Sequence, residues 1–557
     1  MTRKTSYLHP VPPRKKAFLG LSSLALGLVA VWPQAACGQA AADTPGKPAE
    51  PPKVTRKNDV SDDALFAGVV PVLQLIIPPE NIDKLAKEPR VLVECTLKEK
   101  GGQTLEKCEV KLKGSAGSFR QINDDRPGFS VRTAKLKDQE FRGISKFMLN
   151  NCAQDGTMLH EQLAGEMARR AGVPASRCTH AYLTLNNKVL GTYVLKEGFN
   201  AEFLKYFFKD THGHLYDGGF VSEINPNMEV DKGNPNEKAR LLELIAACGD
   251  PKPETRLARL DKVLDIDAYL RHVFMEQVLC HWDGYSFNRN NYRIYEDPST
   301  GKFSFILHGM DQVFGDSRWY VFRQPGAMVP NALWGDKGIR ERYRAQAFAV
   351  YEKALRTVDW PRRAEQVAQE LKNKLKPIDK EEAARFDQRG KDAAAQIKGR
   401  IDSVRAFLED AAKMRSPGGK ATLGAKYAWS FSNDKGDAKE QGYQGKDCLY
   451  ARVGADGGAD NRLQLSLPAG RYRLEGKVQY KGVKAGAGDN AKGVRLRTSG
   501  TGNDPKNAGL VGDSQGWKQV AHDFTVSNDE PTVVFEVRGA AGEAWLDRGS
   551  LTLTRLP

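Results

Sequence analysis

The run Cys280-His281-Trp282-Asp283-Gly284-Tyr285-Ser286-Phe287-Asn288-Arg289-Asn290-Asn291 brings an acid, an imidazole and three amides close together. Within it, His281, Asp283 and Asn288 form H-x-D-x-x-x-x-N. That spacing suits phosphoryl transfer. A carboxylate at Asp283 can take the proton of an attacking hydroxyl, and an amide oxygen at Asn288, one loop turn further on, can face a magnesium ion on phosphates. A second carboxylate follows in His308-Gly309-Met310-Asp311. Other assignments fit the same residues: Asp283 as a turn cap, Asn288 as one loop amide among several, His281 as a packing histidine. Together His281, Asp283, His308 and Asp311 also have the residue types of a zinc hydrolase.

These groups need elements to carry them. Residues 291–296 and 302–307 are strand-like, and Asp297-Pro298-Ser299-Thr300-Gly301 joins them as a turn, so a hairpin would return Asp311 to the side of Asp283. Upstream, Lys113-Gly114-Ser115-Ala116-Gly117-Ser118 lies between two strand-like runs. Its glycines let backbone approach phosphate oxygens, which Lys113 or Arg120 can neutralise; a plain hairpin turn accounts for Gly114 and Gly117 equally well. Alternation marks strands at 69–77, 91–97, 105–112, 129–136, 147–149, 181–185 and 192–195. An amphipathic helix over 158–171 is ended by Gly172 and Pro174. From about 241 helices dominate, and 339–413 reads as helical apart from breaks near Pro361 and Pro377. Strands first and helices later predict an α+β domain, or two lobes, over residues 65–413.

A break at 414–422, with Ser416-Pro417-Gly418-Gly419, is expected to be a linker. Residues 423–557 then alternate in short strands between Gly, Asp and Asn turns, the pattern of an all-β, jelly-roll-like sandwich. Its Trp429, Trp517 and Trp545 suit either core packing or flat platforms for sugar C–H faces, which makes polysaccharide a candidate ligand of this module. Asp456, Asp460 and Asn461 offer hard oxygens for a structural calcium, and a polar turn explains them as well.

The chain has 557 residues and a formal charge of +15. Residues 1–40 hold Arg3, Lys4, Arg14, Lys15 and Lys16 and no acid, so the remainder carries 15 − 5 = +10, spread without a long basic block. No nucleic-acid partner is expected, and an anionic substrate or surface polymer is compatible. Hydrophobic content of 40% and charged content of 27% exclude wholesale disorder and a polytopic membrane protein. Arg14-Lys15-Lys16, the apolar run 17–32 and the small residues around 35–40 predict a secretory signal over 1–40, followed by a Pro-rich tether over 41–64. The expected location is secreted, periplasmic or cell-surface, with membrane attachment only through lipidation at Cys37. The eight cysteines contain no C-x-x-C pair. In an exported chain disulfides are their natural use: Cys95–Cys108 across a hairpin, then Cys152–Cys178 and Cys248–Cys280, with buried thiols as the alternative.

Six stretches resemble one family. They are VKLKGSAGSFR (110–120), RPGFSVRTAK (126–135), FRGISKFMLNNCAQDGTMLHEQLAGEMARRAGVPASR (141–177), AYLTLNNKVLGTYVLKEGFNAEFL (181–204), HWDGYSFNRNNYRIY (281–295) and FSFILHGMDQVFG (303–315). In this order they are similar to the CotH kinase family of spore-coat-protein-H-like secreted atypical kinases. The resemblance implies an atypical protein-kinase-like, two-lobed fold that uses ATP with Mg²⁺ or Mn²⁺ to phosphorylate Ser or Thr of exported or surface proteins. It makes Asp283 the catalytic aspartate and Asn288 and Asp311 the metal-side residues. It places Lys113, Gly114, Gly117, Ser118, Arg132 and Glu197 around the nucleotide, Glu197 at the strand end where a hinge would meet adenine. Glu161 or Glu166 would then orient Arg132. Two departures stand out. The family often has Trp-Asp-x-Asp where this chain has His308-Gly309-Met310-Asp311, and Lys-Pro-Ser-x-Lys-x-Lys where residues 126–132 end in Arg132, whose fork is not equivalent to lysine. They keep open an alternative, a catalytically degenerate scaffold that attaches to polysaccharide through its C-terminal module.

Overall fold

The computed structural model describes residues 69–133, 139–488, 492–499, 509–527 and 530–557. The expected signal segment, the Pro-rich tether and Cys37 lie outside the described residues, as does the end of the strand expected at 129–136. Among the described residues no helix is long and apolar enough to cross a membrane.

Seven strands form a closed barrel: β1 (Val72–Ile76), β2 (Val93–Glu99), β3 (Thr104–Lys113), β4 (Gly128–Arg132), β5 (Lys146–Asn150), β6 (Cys178–Leu185) and β7 (Lys188–Glu197). Their order is β1-β2-β3-β4-β5-β7-β6, closed by the parallel pair β1–β6. Alternation directs Leu75, Leu97, Leu112, Phe129, Val131, Phe147, Leu149, Leu183 and Leu195 into one apolar core. Helix α1 (Pro79–Lys87) follows β1; α2 (His160–Arg170) lies between β5 and β6, and α3 (Ala201–Phe207) after β7.

A second sheet runs β11 (Lys302–Leu307), β10 (Tyr292–Asp297), β8 (Leu215–Asp217), β9 (Glu229–Lys232). It packs with a largely helical region: α4 (Ala239–Cys248), α5 (Pro253–Val263), α6 (Ile266–Leu279), α7 (Tyr285–Asn288), α8 (Met328–Trp334), α9 (Lys337–Val350), α10 (Trp360–Leu375) and α11 (Lys380–Lys413). The breaks fall where Pro361 and Pro377 predict them, and Asp359 and Asp379 cap α10 and α11 by accepting from the backbones of Arg362 and Glu382. From α11, the fully buried Arg400 guanidinium donates to the carbonyls of Gln277, Val278 and Ser317, fastening the end of α6.

The C-terminal strands are β12 (Lys420–Thr422), β13 (Ser430–Tyr443), β14 (Lys446–Gln464), β15 (Gly470–Lys484), β16 (Gly493–Thr498), β17 (Lys518–Val526), β18 (Thr532–Gly539) and β19 (Ala541–Arg555). Long β14 pairs with β19 through residues 448–453 and with β18 through 457–464. The expected linker 414–422 is partly strand, since β12 pairs with β19. The Tyr427 ring packs 5.1 Å from Phe407 of α11 and 5.5 Å from Tyr320, and its hydroxyl donates to Asp410 at 3.0 Å. Arg555 donates to the carbonyls of Met414 and Arg415. Buried Glu536 of β18 receives Arg495 at 2.5 Å and Arg497 at 2.8 Å.

Two expectations are corrected. The described cysteines are free thiols, including all three proposed pairs. Cys95 and Cys108 do face each other across β2–β3, but as buried thiols, and burial pushes Cys108 up to about 11. Cys152 follows β5, Cys178 opens β6, Cys248 ends α4 and Cys280 donates to the Asp316 carbonyl at 2.9 Å, each on its own element. The calcium candidates fail as a set. They sit on β14, not in a loop, and Asp460 is taken by Arg462 at 2.5 and 3.0 Å while Asn461 donates to the Tyr450 carbonyl.

Candidate active site

Helix α6 ends because Cys280 adopts a left-handed conformation, φ 55°, which throws the chain into residues 281–291. Three amides of that loop converge on one carboxylate. Asp283 receives Asn288 at 2.6 Å, Asn290 at 3.0 Å and Asn291 at 2.7 Å, so its plane is fixed from three sides. Below, fully buried Glu276 accepts from the Ser286 backbone at 3.3 Å and lies 3.4 Å from His272. Gly284 is required there, since a Cβ would fall 2.3 Å from Glu276 Oε1.

The β10–β11 hairpin, in register from Tyr292↔Leu307 to Asp297↔Lys302, returns the chain as expected. Two contacts then join the returning segment to the Asp283 loop. His281 Nε2 donates to the His308 carbonyl at 2.9 Å. The Asn291 side chain also lies against Gly309, whose φ of 59° and a would-be Cβ only 2.3 Å from Asn291 Oδ1 exclude any larger residue without rearrangement. Asn291 thereby holds Asp283 with its nitrogen and abuts the Asp311 segment with its oxygen.

Asp311 lines a cleft with Lys113, Gly114, Ser118, Asn150 and Glu161. Register explains the company: Lys113 ends β3 opposite Gly128, Asn150 ends β5 opposite Val194, and Lys196 sits two residues along β7. Lys113 Nζ donates to Asn150. Lys196, 1% exposed, forms a 2.7 Å ion pair with Glu161 of α2 and donates to His308 Nδ1 at 2.9 Å. The electrostatics follow from dehydration. Burial, reinforced by the Glu161 charge, pushes Asp311 up to about 6 against the pull of Lys113 and Lys196. Burial and the Lys196 charge bring Lys113 down to about 8. Burial and Lys196 hold His308 well below the usual imidazole range, so it stays neutral and can accept from that lysine.

The structure therefore brings Lys113, Gly114, Ser118 and Asp311 to one cleft, and Asp283 with Asn288 to the adjoining loop. Gly114 and Gly117 both have positive φ, and a Cβ on Gly114 would meet the Phe119 backbone at 2.9 Å. Arg120 donates to the carbonyls of Gly117 and Phe119. Two candidates are not brought in. Arg132 ends β4 opposite Lys146, four residues from Gly128 and so about 13 Å along the strand from the cleft end. Glu197 is 1% exposed and its carboxylate is clasped by Arg177 through Nε at 2.9 Å and through Nη2, which leaves no free oxygen for a ligand. Glu161 pairs with Lys196 rather than Arg132, and Glu166 with Arg170 and Arg363. The zinc set does not form: His281 and His308 are committed to each other's segment and to Lys196, and among the described residues no three His, Cys, Asp or Glu side chains are placed to hold a metal. Lys196 and Asn150 were not selected from the sequence, and His308 was selected only as a zinc ligand, not as the acceptor for Lys196. A lysine following the apolar run Thr192-Tyr193-Val194-Leu195 was the available signal, because lysine is seldom fully buried unless paired.

The comparisons with known proteins can be set beside this geometry. A family model described as CotH kinase protein matches residues 111–415. Invasin CotH3 of Rhizopus delemar is 28% identical over 241 residues, 37% of this chain and 40% of that protein. Invasin CotH7 of the same organism is 25% identical over 185 residues, 31% of each. The chain thus spans less than half the length of these curated relatives. Among solved structures, the CBM22-1 xylan-binding domain of Paenibacillus barcinonensis Xyn10C matches at 20% identity over 25% of this chain and 97% of its own, with a TM-score of 0.18. Since the family model covers more than half of the chain, this protein belongs to the CotH kinase protein family.

Proposed function

We propose that the protein is a secreted or surface-located phosphotransferase with a kinase-like, two-lobed arrangement of barrel and helical region, moving the γ-phosphate of ATP to Ser or Thr of exported proteins. One observation carries this reading: a buried Lys196–Glu161 pair meets Lys113 and Asp311 in a cleft whose walls are tied, through Asn291 and His281, to the loop that fixes Asp283. Lys113 and Lys196 supply fixed positive charge for phosphate oxygens, and the Gly114–Ser118 turn supplies backbone N–H groups. Asp283 accepts the proton of the incoming hydroxyl, its orientation set by three amides.

Asp311 and Asn288 are the residues assigned to Mg²⁺ or Mn²⁺. The donor chemistry fits a hard cation. Asp311 is held away from ionisation by burial and Glu161, a repulsion that a divalent ion relieves, and Asn288 uses its nitrogen on Asp283 and keeps its oxygen without a donor among the described residues. Such an ion, when bound, neutralises charge on the phosphates. An exported setting agrees with the invasin and spore-coat names of the relatives.

Incubated with labelled ATP and Mg²⁺ or Mn²⁺, the purified chain is expected to label itself or a casein-like acceptor, and Asp283→Ala to reduce transfer at least 1,000-fold. Wild-type protein that neither binds nucleotide nor transfers phosphate would overturn the reading in favour of a scaffold. A second reading concerns attachment to polysaccharide. In the sandwich, half-buried Tyr443 stacks at 4.1 Å on Trp545, which is buried with Tyr450, and half-buried Trp517 lies beside it, so that Tyr443 and Trp517 carry the aromatic surface that meets solvent. Such a patch suits the C–H faces of sugars. Retention on immobilised polysaccharide, lost in Tyr443→Ala, tests it.

A further inference from the structure

Seven large apolar side chains are conspicuously exposed among the described residues, and three of them flank Asp283: Phe220 at 61%, Val221 at 42% and Trp282 at 44%. Trp282 is its immediate neighbour in the chain. The other two sit on the turn between β8 and β9, and that turn is held in place. Asn290 accepts from the Val221 backbone at 3.2 Å through Oδ1 and donates to Asp283 through Nδ2 at 3.0 Å, so a single amide spans the turn and the carboxylate. Tyr292 donates to the Ser222 carbonyl at 3.0 Å, and half-buried Glu223 accepts from Tyr285 at 2.8 Å and from the Met328 backbone at 2.8 Å.

The backbone pays for this placement. Val221 has φ 46°, a conformation that a β-branched residue adopts only when surrounding contacts impose it. Imposed strain that turns two apolar side chains toward water, beside a group fixed for proton transfer, has no use in packing. One amide therefore separates this exposed apolar turn from the Asp283 carboxylate, and Trp282 adjoins it in the chain. We propose that residues 218–222 and Trp282 form the acceptor-docking surface of the phosphotransfer site, and that the occupant is an extended peptide segment whose Ser or Thr is flanked within two residues by a large apolar side chain. The inference rests on the phosphotransferase reading and names the acceptor class for it.

Two probe peptides decide the matter, one with Leu-Ser-Phe at its centre and one with Lys-Ser-Lys, each measured for direct binding and as phosphate acceptors of the full chain. The apolar-flanked peptide is expected to bind and to be labelled with at least tenfold higher kcat/KM. Phe220→Ser and Trp282→Ser, both at exposed positions, are expected to raise its KM about tenfold and leave nucleotide binding unchanged. Transfer that is indifferent to the flanking residues and to both variants would overturn the docking surface and leave the phosphotransferase standing. Binding of the apolar peptide that both variants abolish, without any transfer, would support the surface and overturn the enzyme. Absence of binding and of transfer would overturn both.

Discussion

Two buried charge clusters answer to dehydration in opposite senses. In the sandwich, burial alone would raise Glu536, but hydrogen bonds and charge from Arg497 and Arg495 hold it down at about 2. At the cleft, burial and the Glu161 charge raise Asp311 to about 6, and Lys113 and Lys196 do not make up the difference. Glu536 has its guanidinium partners in direct contact. Asp311 has cations in its surroundings that are already committed, Lys196 to Glu161 and His308, Lys113 to Asn150. A charge cluster completed from within the chain is a strut. One left short of positive charge is where the proposed phosphotransfer would place its cation.

The largest test removes the strut. Glu536→Gln leaves Arg495 and Arg497 without their anion and is expected to lose about 3–5 kcal/mol near neutral pH, read by denaturant unfolding. Because the native value lies below the ordinary 4.5, this stability is present above about pH 4.5 and disappears as pH falls toward 2, so the gap between variant and wild type should close on that side. A gap that ignores pH would break the contrast. Next comes Asp311→Asn, with the opposite sign. The native protein holds a proton that the unfolded chain has released between pH 3.8 and about 6, so wild-type stability falls as pH rises through that window. The variant should be more stable by about 3 kcal/mol above pH 6, equal below pH 4, and inactive in transfer. Lys196→Met alone, which removes a charge that lowers Asp311, should move the upper edge of the wild-type window to higher pH. The smallest effect is expected of Gly309→Ala, about 1–3 kcal/mol in thermal unfolding from its positive φ and the clash with Asn291, with transfer impaired beyond what that loss explains.

What could be seen in the sequence was mostly local. The Asp283 loop and the Asp311 segment are joined by one hairpin, whose turn residues are plain in the text of the chain, so the return of one segment to the other was legible. The barrel strands were legible as elements because alternation marks them, but the barrel was not, since its closure depends on β1 meeting β6 over a hundred residues away. That missing register misdirected the cation. Arg132 and Lys113 lie on adjacent strands, and only the pairing Lys113↔Gly128 and Arg132↔Lys146 reveals that they occupy opposite ends. Lys196, buried behind the cleft on Glu161 and His308, went unnoticed for the same reason. The Cys95–Cys108 pairing was located correctly across its hairpin and still mistaken in chemistry, because adjacency in register does not say whether two sulfurs are bonded.

The ring cluster of Tyr320, Phe407 and Tyr427 also determines how this protein can be dissected in the laboratory. A recombinant piece stopping after residue 413 would strip Tyr427 from the other two aromatics and from Asp410 of the long helix, leaving a sticky apolar patch. Poor solubility of such a piece would say nothing about phosphate transfer, so assays are best run on protein that retains its final strand.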